Sequence, residues 1–189
     1  MKEFLVQMRA GSIPRRFPEC IGYGYGTRIK YIHMGMWALV DETWTKRLAG
    51  YIGDRKVLEI MAGVGWLAKA LKAHGVNIVA TDSGAWDKRH KKAPKIFDIK
   101  KMEASEAVDK IDADILLVSW PPYDDKTRSL ILAVERWGTE KPVVYIGEGD
   151  GGCNASEEFF ESFEQKEIIP MPSWGCIHDK CRVGYWRKK

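Results

Sequence analysis

The sequence predicts a doubly wound α/β domain: a mostly parallel sheet of seven strands, with helices on both faces, ending in an antiparallel hairpin. Three observations carry that expectation. From residue 56 onward, short apolar runs alternate with amphipathic stretches, the order of strand–helix–strand units that build a parallel sheet between helical layers. The last two strand-like runs have no helical pattern between them, so they are expected to pair antiparallel. The chain has 189 residues, 45% hydrophobic and 30% charged, which suits one well-packed domain and excludes a disordered chain.

Residues 1–53 form an expected N-terminal extension to a core at 54–189. Within it, "GSIPRRFPECIGYGYGTRIKYIHMGM" (11–36) is rich in Gly, Pro, Arg and aromatics, and is expected to be irregular and to lie over a site. Trp37, Val40, Trp44, Leu48 and Tyr51 recur at helical spacing and predict a helix closed by Gly53, with the tryptophans in the core.

In the core, "KVLEIM" (56–61) is the first buried strand, followed by the helix "GWLAKALKAHG" (65–75). "VNIVAT" (76–81) and "KIFDI" (95–99) are the next strands, then "EASEAVDKI" (103–111) is a helix. "ADILLV" (113–118) is the fourth strand, "KTRSLILAVERW" (126–137) a helix stopped by Gly138, and "PVVYIG" (142–147) the fifth strand. "SEEFFESF" (156–163) is a helix, and "KEIIPMP" (166–172) and "CRVGYWRKK" (181–189) are the hairpin strands.

Gly63 and Gly65 fall between the first strand and its helix, where glycines let a ligand approach the N–H groups of a helix start. Two cofactor classes compete. Gly63 to Ala68 satisfies the dinucleotide pattern G-x-G-x-x-A, with Asp82 at the end of the second strand as a ribose-binding acid. Glu59, on the first strand, would oppose a pyrophosphate and suits a cofactor with a cationic end.

The run Glu59-Ile60-Met61-Ala62-Gly63-Val64-Gly65 resembles the E/D-x-G-x-G-x-G motif of class I S-adenosylmethionine-dependent methyltransferases, with Met61 where the family has its first glycine. That resemblance spans roughly residues 50–189 and implies a Rossmann-like sheet and S-adenosylmethionine as cofactor. It implies ribose binding by Asp82, and adenine contacts by Met102 and Glu103, with Asp98 as the alternative acid. Met61, Ala62, Ser83 and Ser119 complete the cofactor-binding set with Glu59, Gly63 and Gly65.

"SWPPYDD" (119–125) follows the fourth strand, at the sheet edge where open parallel sheets bind ligands. It resembles the D/N/S-P-P-Y/F/W motif of methyltransferases acting on planar nitrogens, with Trp120 at the position of the side-chain acceptor. Prolines fix φ and lack N–H groups, so the corner offers carbonyls in a rigid array. Trp120, Pro121, Pro122 and Tyr123 are the expected catalytic set, Tyr123 stacking on a planar acceptor and the Trp120 and Pro121 carbonyls, or Asp124, receiving its hydrogens.

Other features are secondary. "WDKRHKKAPK" concentrates Lys88, Arg89, His90, Lys91, Lys92 and Lys95, a solvated loop or a phosphate-contacting patch for nucleic acid. The glycine-rich "YIGEGDGGCN", with Glu148 and Asp150, lies at the same sheet edge, and "PSWGCIHD" adds Trp174, His178 and Asp179. Cys176, His178 and Cys181 lie close together, but no short pair of zinc-binding cysteines is present, so no metal is expected.

The expected activity is therefore methyl transfer from S-adenosylmethionine in one in-line displacement. The acceptor is left open among RNA, single-stranded nucleic acid, a protein side chain and a small molecule. Sequence-specific duplex DNA is disfavoured because little sequence follows the sheet. An NAD(P)-dependent oxidoreductase and a non-catalytic binding module on the same fold are the alternatives. The sparse cysteines, the short apolar run at the N-terminus and the lack of a membrane-length apolar run point to the cytoplasm.

Overall fold

The computed structural model describes residues 10–18, 20–21, 25–85, 93–123, 128–175 and 177–187. It begins with the short strand β1 (Cys20–Ile21) and the helix α1 (Tyr25–His33), so the segment expected to be irregular carries regular structure. The next helix also differs from expectation. α2 spans Glu42–Ile52, leaving Trp37 and Val40 outside it. The reason is Asp41, whose Oδ1 accepts from Trp44 N at 3.0 Å and whose Oδ2 accepts from Phe17 N at 2.8 Å. A buried aspartate that caps the first turn and holds an upstream strand of chain ends the helix at that point. Gly53 closes α2 with φ 58°, as expected.

The core elements are β2 (Val57–Ile60), α3 (Trp66–Ala73), β3 (Ile78–Asp82), β4 (Ile99–Lys101), α4 (Ala104–Lys110) and β5 (Ile115–Ser119). They continue with α5 (Ser129–Trp137), β6 (Val143–Gly147), α6 (Glu157–Ser162), β7 (Phe163–Ile169), β8 (Ser173–Trp174) and β9 (Lys180–Trp186). The main sheet has seven strands in the order β4-β3-β2-β5-β6-β9-β7, with β9 antiparallel to both neighbours and the other pairs parallel. This is the doubly wound, mostly parallel sheet with a terminal antiparallel hairpin that the sequence predicts. A separate two-stranded pairing joins β1 to β8.

Two strands shift against expectation. The run 95–99 is extended only from Ile99, because the Ile96 and Phe97 N–H groups both donate to Val64 O, at 3.2 Å. The first hairpin strand starts at Phe163 and stops at Ile169, before Pro170, which has no N–H to offer a ladder. Within the hairpin, a Cβ on Gly184 would come 2.3 Å from Glu164 O and 2.7 Å from Phe163 Cζ, so this crossing admits only glycine.

Period-two alternation splits the strands between two cores. Val57, Ile78, Ile115, Leu117, Val144 and Ile146 pack under α2 and α3 with Trp44, Leu48, Leu67 and Leu71. Leu58, Ile60, Leu116, Val118, Val143 and Tyr145 face the opposite side, against Ala107, Leu130, Val134 and Phe159. Each fully buried Leu or Ile contributes roughly 1.5–3 kcal/mol, which makes these layers the rigid platform for the sheet edge above them. Among the described residues, no helix is long and apolar enough to cross a membrane.

Candidate functional site

Parallel pairing brings the carboxyl ends of β3, β2 and β5 side by side. Glu59 lies opposite Ala80 on one side and Leu117 on the other. Asp82 and Ser119 follow those partners by two residues, so Glu59, Asp82 and Ser119 share the face that carries α2 and α3.

The turn after β2 is clasped to β3. Ala62 N donates to Thr81 O at 3.0 Å, and Gly63 N donates to Asp82 Oδ2 at 2.8 Å. Asp82 Oδ1 accepts from Gly84 N at 2.7 Å, so each of its oxygens keeps a further lone pair. Met61 adopts φ 55°, the left-handed conformation a glycine takes readily, at the position where the resembled motif has one. At Gly65, φ is 88° and a Cβ would fall 2.5 Å from Phe97 Cβ, so helix and turn close only around a glycine. A Cβ on Gly63 would meet nothing within 4 Å, leaving its outer side open.

Glu59 is 1% exposed, beneath this turn rather than on its open side. It accepts the Ala68 N–H from the first turn of α3, and Oε2 has no hydrogen-bond partner among the described residues. Burial, with the neighbouring Asp82 carboxylate adding to it, pushes its carboxyl up to about 8.

The remaining expected contacts sit around the rim. Ser83 Oγ accepts from Ala85 N at 3.3 Å, and Met102 N donates to Asp82 O at 3.0 Å. Glu103 occupies the N-cap position of α4 without a side-chain cap bond and is exposed. Asp98 is exposed and pairs with Lys95 at 3.0 Å.

Ser119 ends β5, and the corner turns sharply after it. Trp120 has φ 52°, and its N–H donates to Ile146 O at 2.8 Å. Pro121 is buried and its carbonyl accepts from Ala155 N at 3.2 Å, while Pro122 bridges Asn154. One of the two carbonyls expected to face an acceptor is therefore engaged by the 148–155 loop. Tyr123 is 49% exposed. That loop is itself anchored: Asn154 Nδ2 donates to Tyr145 Oη at 2.7 Å, and Glu148 N donates to Asn154 Oδ1 at 3.1 Å.

Trp120 is clamped by residues distant in sequence. Its indole N–H donates to Asp179 Oδ1 at 2.9 Å. Trp37 stacks on it with ring centroids 5.7 Å apart, and the Arg28 guanidinium lies 5.0 Å over its ring. Asp179 is 5% exposed, and Oδ2 has no partner among the described residues. Burial raises its carboxyl to about 7; the Trp120 bond opposes this, Glu148 adds to it, and Arg28 and Arg182 oppose it. Arg182 is held by Gly147 O at 2.8 Å.

The N-terminal segment packs against the glycine turn and the start of α3. Trp66 Nε1 donates to Met34 O at 2.9 Å, and a Cβ on Gly35 would come 2.5 Å from Val64 Cγ2. Trp37 and Arg28 were not among the expected site residues. Trp37 fits the helical spacing of α2, which masks its role, and Arg28 sits in an aromatic-rich run with no period. His178 is exposed, and Trp174 is buried against Tyr31. Burial raises the Cys181 thiol, which suits a core residue. Lys88, Arg89, His90, Lys91, Lys92, Asp124 and Cys176 lie outside the described residues. Among the described residues, no three His, Cys, Asp or Glu side chains are grouped to hold a metal. A surface cleft of about 250 Å³ between Arg16, Arg47 and Met171 contains none of the expected site residues.

The fold is the Rossmann-like one of methyltransferases. No protein-family model matches the chain, and no curated protein matches it. Solved structures do. The N-methyltransferase NodS from Bradyrhizobium japonicum WM9, bound to S-adenosylhomocysteine, matches with a TM-score of 0.51 at 15% identity over 78% of this chain and 86% of NodS. Human N-acetylserotonin methyltransferase, bound to S-adenosylmethionine, matches with a TM-score of 0.53 at 12% identity over 99% of this chain and 66% of that one. A mutant of MtNAS, bound to S-adenosylmethionine, matches with a TM-score of 0.52 at 13% identity over 88% of this chain and 64% of that one. The chain spans 57% to 64% of the length of the MtNAS chains. At these identities the likeness is one of fold.

Proposed function

We propose that this protein transfers a methyl group from S-adenosylmethionine to a nitrogen of a planar acceptor, in the crevice between the Met61–Gly65 turn and the Trp120–Tyr123 corner. One observation carries the cofactor choice. Glu59 is buried beneath the glycine turn with Oε2 unpartnered, and Asp82 stands beside it. Two acids suit a ligand bearing a sulfonium and an ammonium group, since a cation close by draws a buried carboxyl to its ionised form. A dinucleotide would set its pyrophosphate against them, and the Ala68 N–H that could receive it is already given to Glu59. Solved structures of the same fold with S-adenosylmethionine or S-adenosylhomocysteine support the same choice.

S-adenosylmethionine supplies, when bound, an electrophilic methyl group on a sulfonium. The chain's own residues do the rest. Asp82 has lone pairs left for ribose hydroxyls after holding Gly63 and Gly84. Met102, partly buried, offers an apolar face, and the uncapping Glu103 carboxylate an acceptor, for an adenine ring. Met61, Ala62, Ser83 and Ser119 line the turn around them. Glu59 holds the first turn of α3 from beneath the glycine turn. On the acceptor side, Pro121 and Pro122 are tied to the 148–155 loop and form a rigid wall. The exposed Tyr123 ring stacks on the acceptor plane. Lys88, Arg89, Lys91 and Lys92 favour a nucleic-acid acceptor over the other classes.

Calorimetry with S-adenosylmethionine and with NAD tests the cofactor. Binding of NAD alone overturns the reading. Transfer of labelled methyl into cell extract separated into RNA, DNA, protein and small molecules identifies the acceptor class. Tyr123→Ala is expected to keep cofactor binding and lose transfer; unchanged turnover removes the corner from the chemistry.

A further inference from the structure

Two polar atoms beside Trp120 are buried and have no hydrogen-bond partner among the described residues: Asp179 Oδ2, an acceptor, and Arg28 Nε, a donor. Leaving such groups unpaired is costly, and native interiors pair them. They flank the same indole. Asp179 holds the Trp120 N–H through Oδ1 at 2.9 Å, and the Arg28 guanidinium sits 5.0 Å over the ring. The two side chains also feel each other electrostatically, yet these atoms do not bond to each other. The corner itself contributes no side-chain acceptor, because the indole of Trp120 can only donate.

We propose that Asp179 and Arg28 form the recognition pair for the group being methylated: a planar amide or aminoheterocycle presenting an N–H next to a lone pair, with Asp179 Oδ2 receiving the N–H and Arg28 Nε donating to the lone pair. The inference rests on the methyl-transfer reading. It supplies from the final hairpin, 59 residues beyond Trp120, the carboxylate that the corner lacks. Arg28 and Trp37 come from the N-terminal segment, so the ligand enters as the Trp37–Trp120 stack opens. Glu148 and Arg182 also face Asp179. Arg182 spends hydrogen bonds on the Gly147 and Glu148 carbonyls, which leaves Arg28 as the cation next to the indole.

The test uses the full chain saturated with S-adenosylmethionine, titrated with benzamide and with cytosine. N,N-dimethylbenzamide serves as the control, being the same ring without N–H donors. Benzamide and cytosine are expected to bind, and the dimethylated amide to bind at least about tenfold more weakly. Asp179→Asn keeps the acceptor for Trp120 and turns Oδ2 into a donor. It is expected to weaken both probes by about tenfold or more with cofactor affinity unchanged. Arg28→Lys removes Nε while keeping the charge, and serves if the first variant does not fold; the same loss is expected. Equal binding of benzamide and its dimethyl form, wild-type probe affinity in both variants, or no binding of either probe overturns the proposal. Failure of S-adenosylmethionine itself to bind overturns the methyl-transfer reading instead, and is measured separately in the same calorimeter.

Discussion

The Gly63 N–H donates to Asp82 Oδ2 across 2.8 Å, which makes the turn after β2 and the end of β3 one unit. Asp82 also holds Gly84, so a single carboxylate organises both loops at this edge of the sheet. Asp82→Ala is expected to leave the fold intact, since Gly63 is exposed and water can replace the lost acceptor, at a cost of about 1–2 kcal/mol in urea denaturation. S-adenosylmethionine affinity, measured by calorimetry, is expected to fall far more than stability. An unchanged affinity contradicts the ribose role.

Met61 occupies a left-handed conformation that costs a non-glycine residue about 1–2 kcal/mol, while its side chain packs partly against the core under α4 and α5. Met61→Gly is expected to relieve the strain and forfeit the packing, leaving stability within about 1 kcal/mol of the wild type. Met61→Val keeps the strain and adds a branched Cβ, with an expected loss of about 2 kcal/mol or more. Equal stability of the two variants argues against the φ of 55°.

Glu59 makes stability depend on pH in an unusual direction. Its ordinary value is 4.5, and burial raises it to about 8 in the folded protein. Below the first value both states hold the proton and the group is neutral to stability. Between the two, the unfolded chain loses its proton and the folded chain keeps it, so stability falls as pH rises through that window. Asp179 acts in the same sense between 3.8 and about 7. Glu59→Gln is expected to flatten the decline above about pH 4.5, with a gain of roughly 5 kcal/mol over the wild type at about pH 9 relative to about pH 4. Parallel stability–pH curves for the two proteins refute the buried-acid assignment. The same variant is expected to bind S-adenosylmethionine more weakly, because an amide cannot ionise beside a cationic ligand as the carboxyl can.

Asp41 joins the N-terminal segment to α2 through Phe17 N and Trp44 N while buried. Asp41→Ala is expected to cost about 2–3 kcal/mol by chemical denaturation, since it orphans two N–H groups. Asp41→Asn keeps one carbonyl acceptor and is expected to lose about half as much. Equal losses in the two variants indicate that the anchor to Phe17 contributes little.

Much of the scaffold is legible in sequence because it rests on local rules. The β2 strand, the glycines at 63 and 65 and the apolar stripe of α3 follow one another closely enough for period and turn chemistry to identify them. The start of α2 is not legible from spacing alone. Trp37 and Val40 continue its apolar period, and only the bonds from Asp41 to Trp44 and Phe17 set the boundary. Likewise, the run 95–99 has strand composition, but Ile96 and Phe97 give their N–H groups to Val64 O in the turn.

The sequence alone determined the order of the main-sheet strands and the helices between them, the antiparallel close of the sheet and the acid–glycine turn, since each is written in residues a few positions apart. Tertiary structure alone decided what surrounds Trp120. Asp179, Trp37 and Arg28 reach it from the hairpin and the N-terminal segment, and no spacing rule links them. It also decided that Glu59 lies under the turn, because burial depends on how α3 closes over β2. Hydrogen bonds and stacking between distant segments have no period, so only the folded chain displays them.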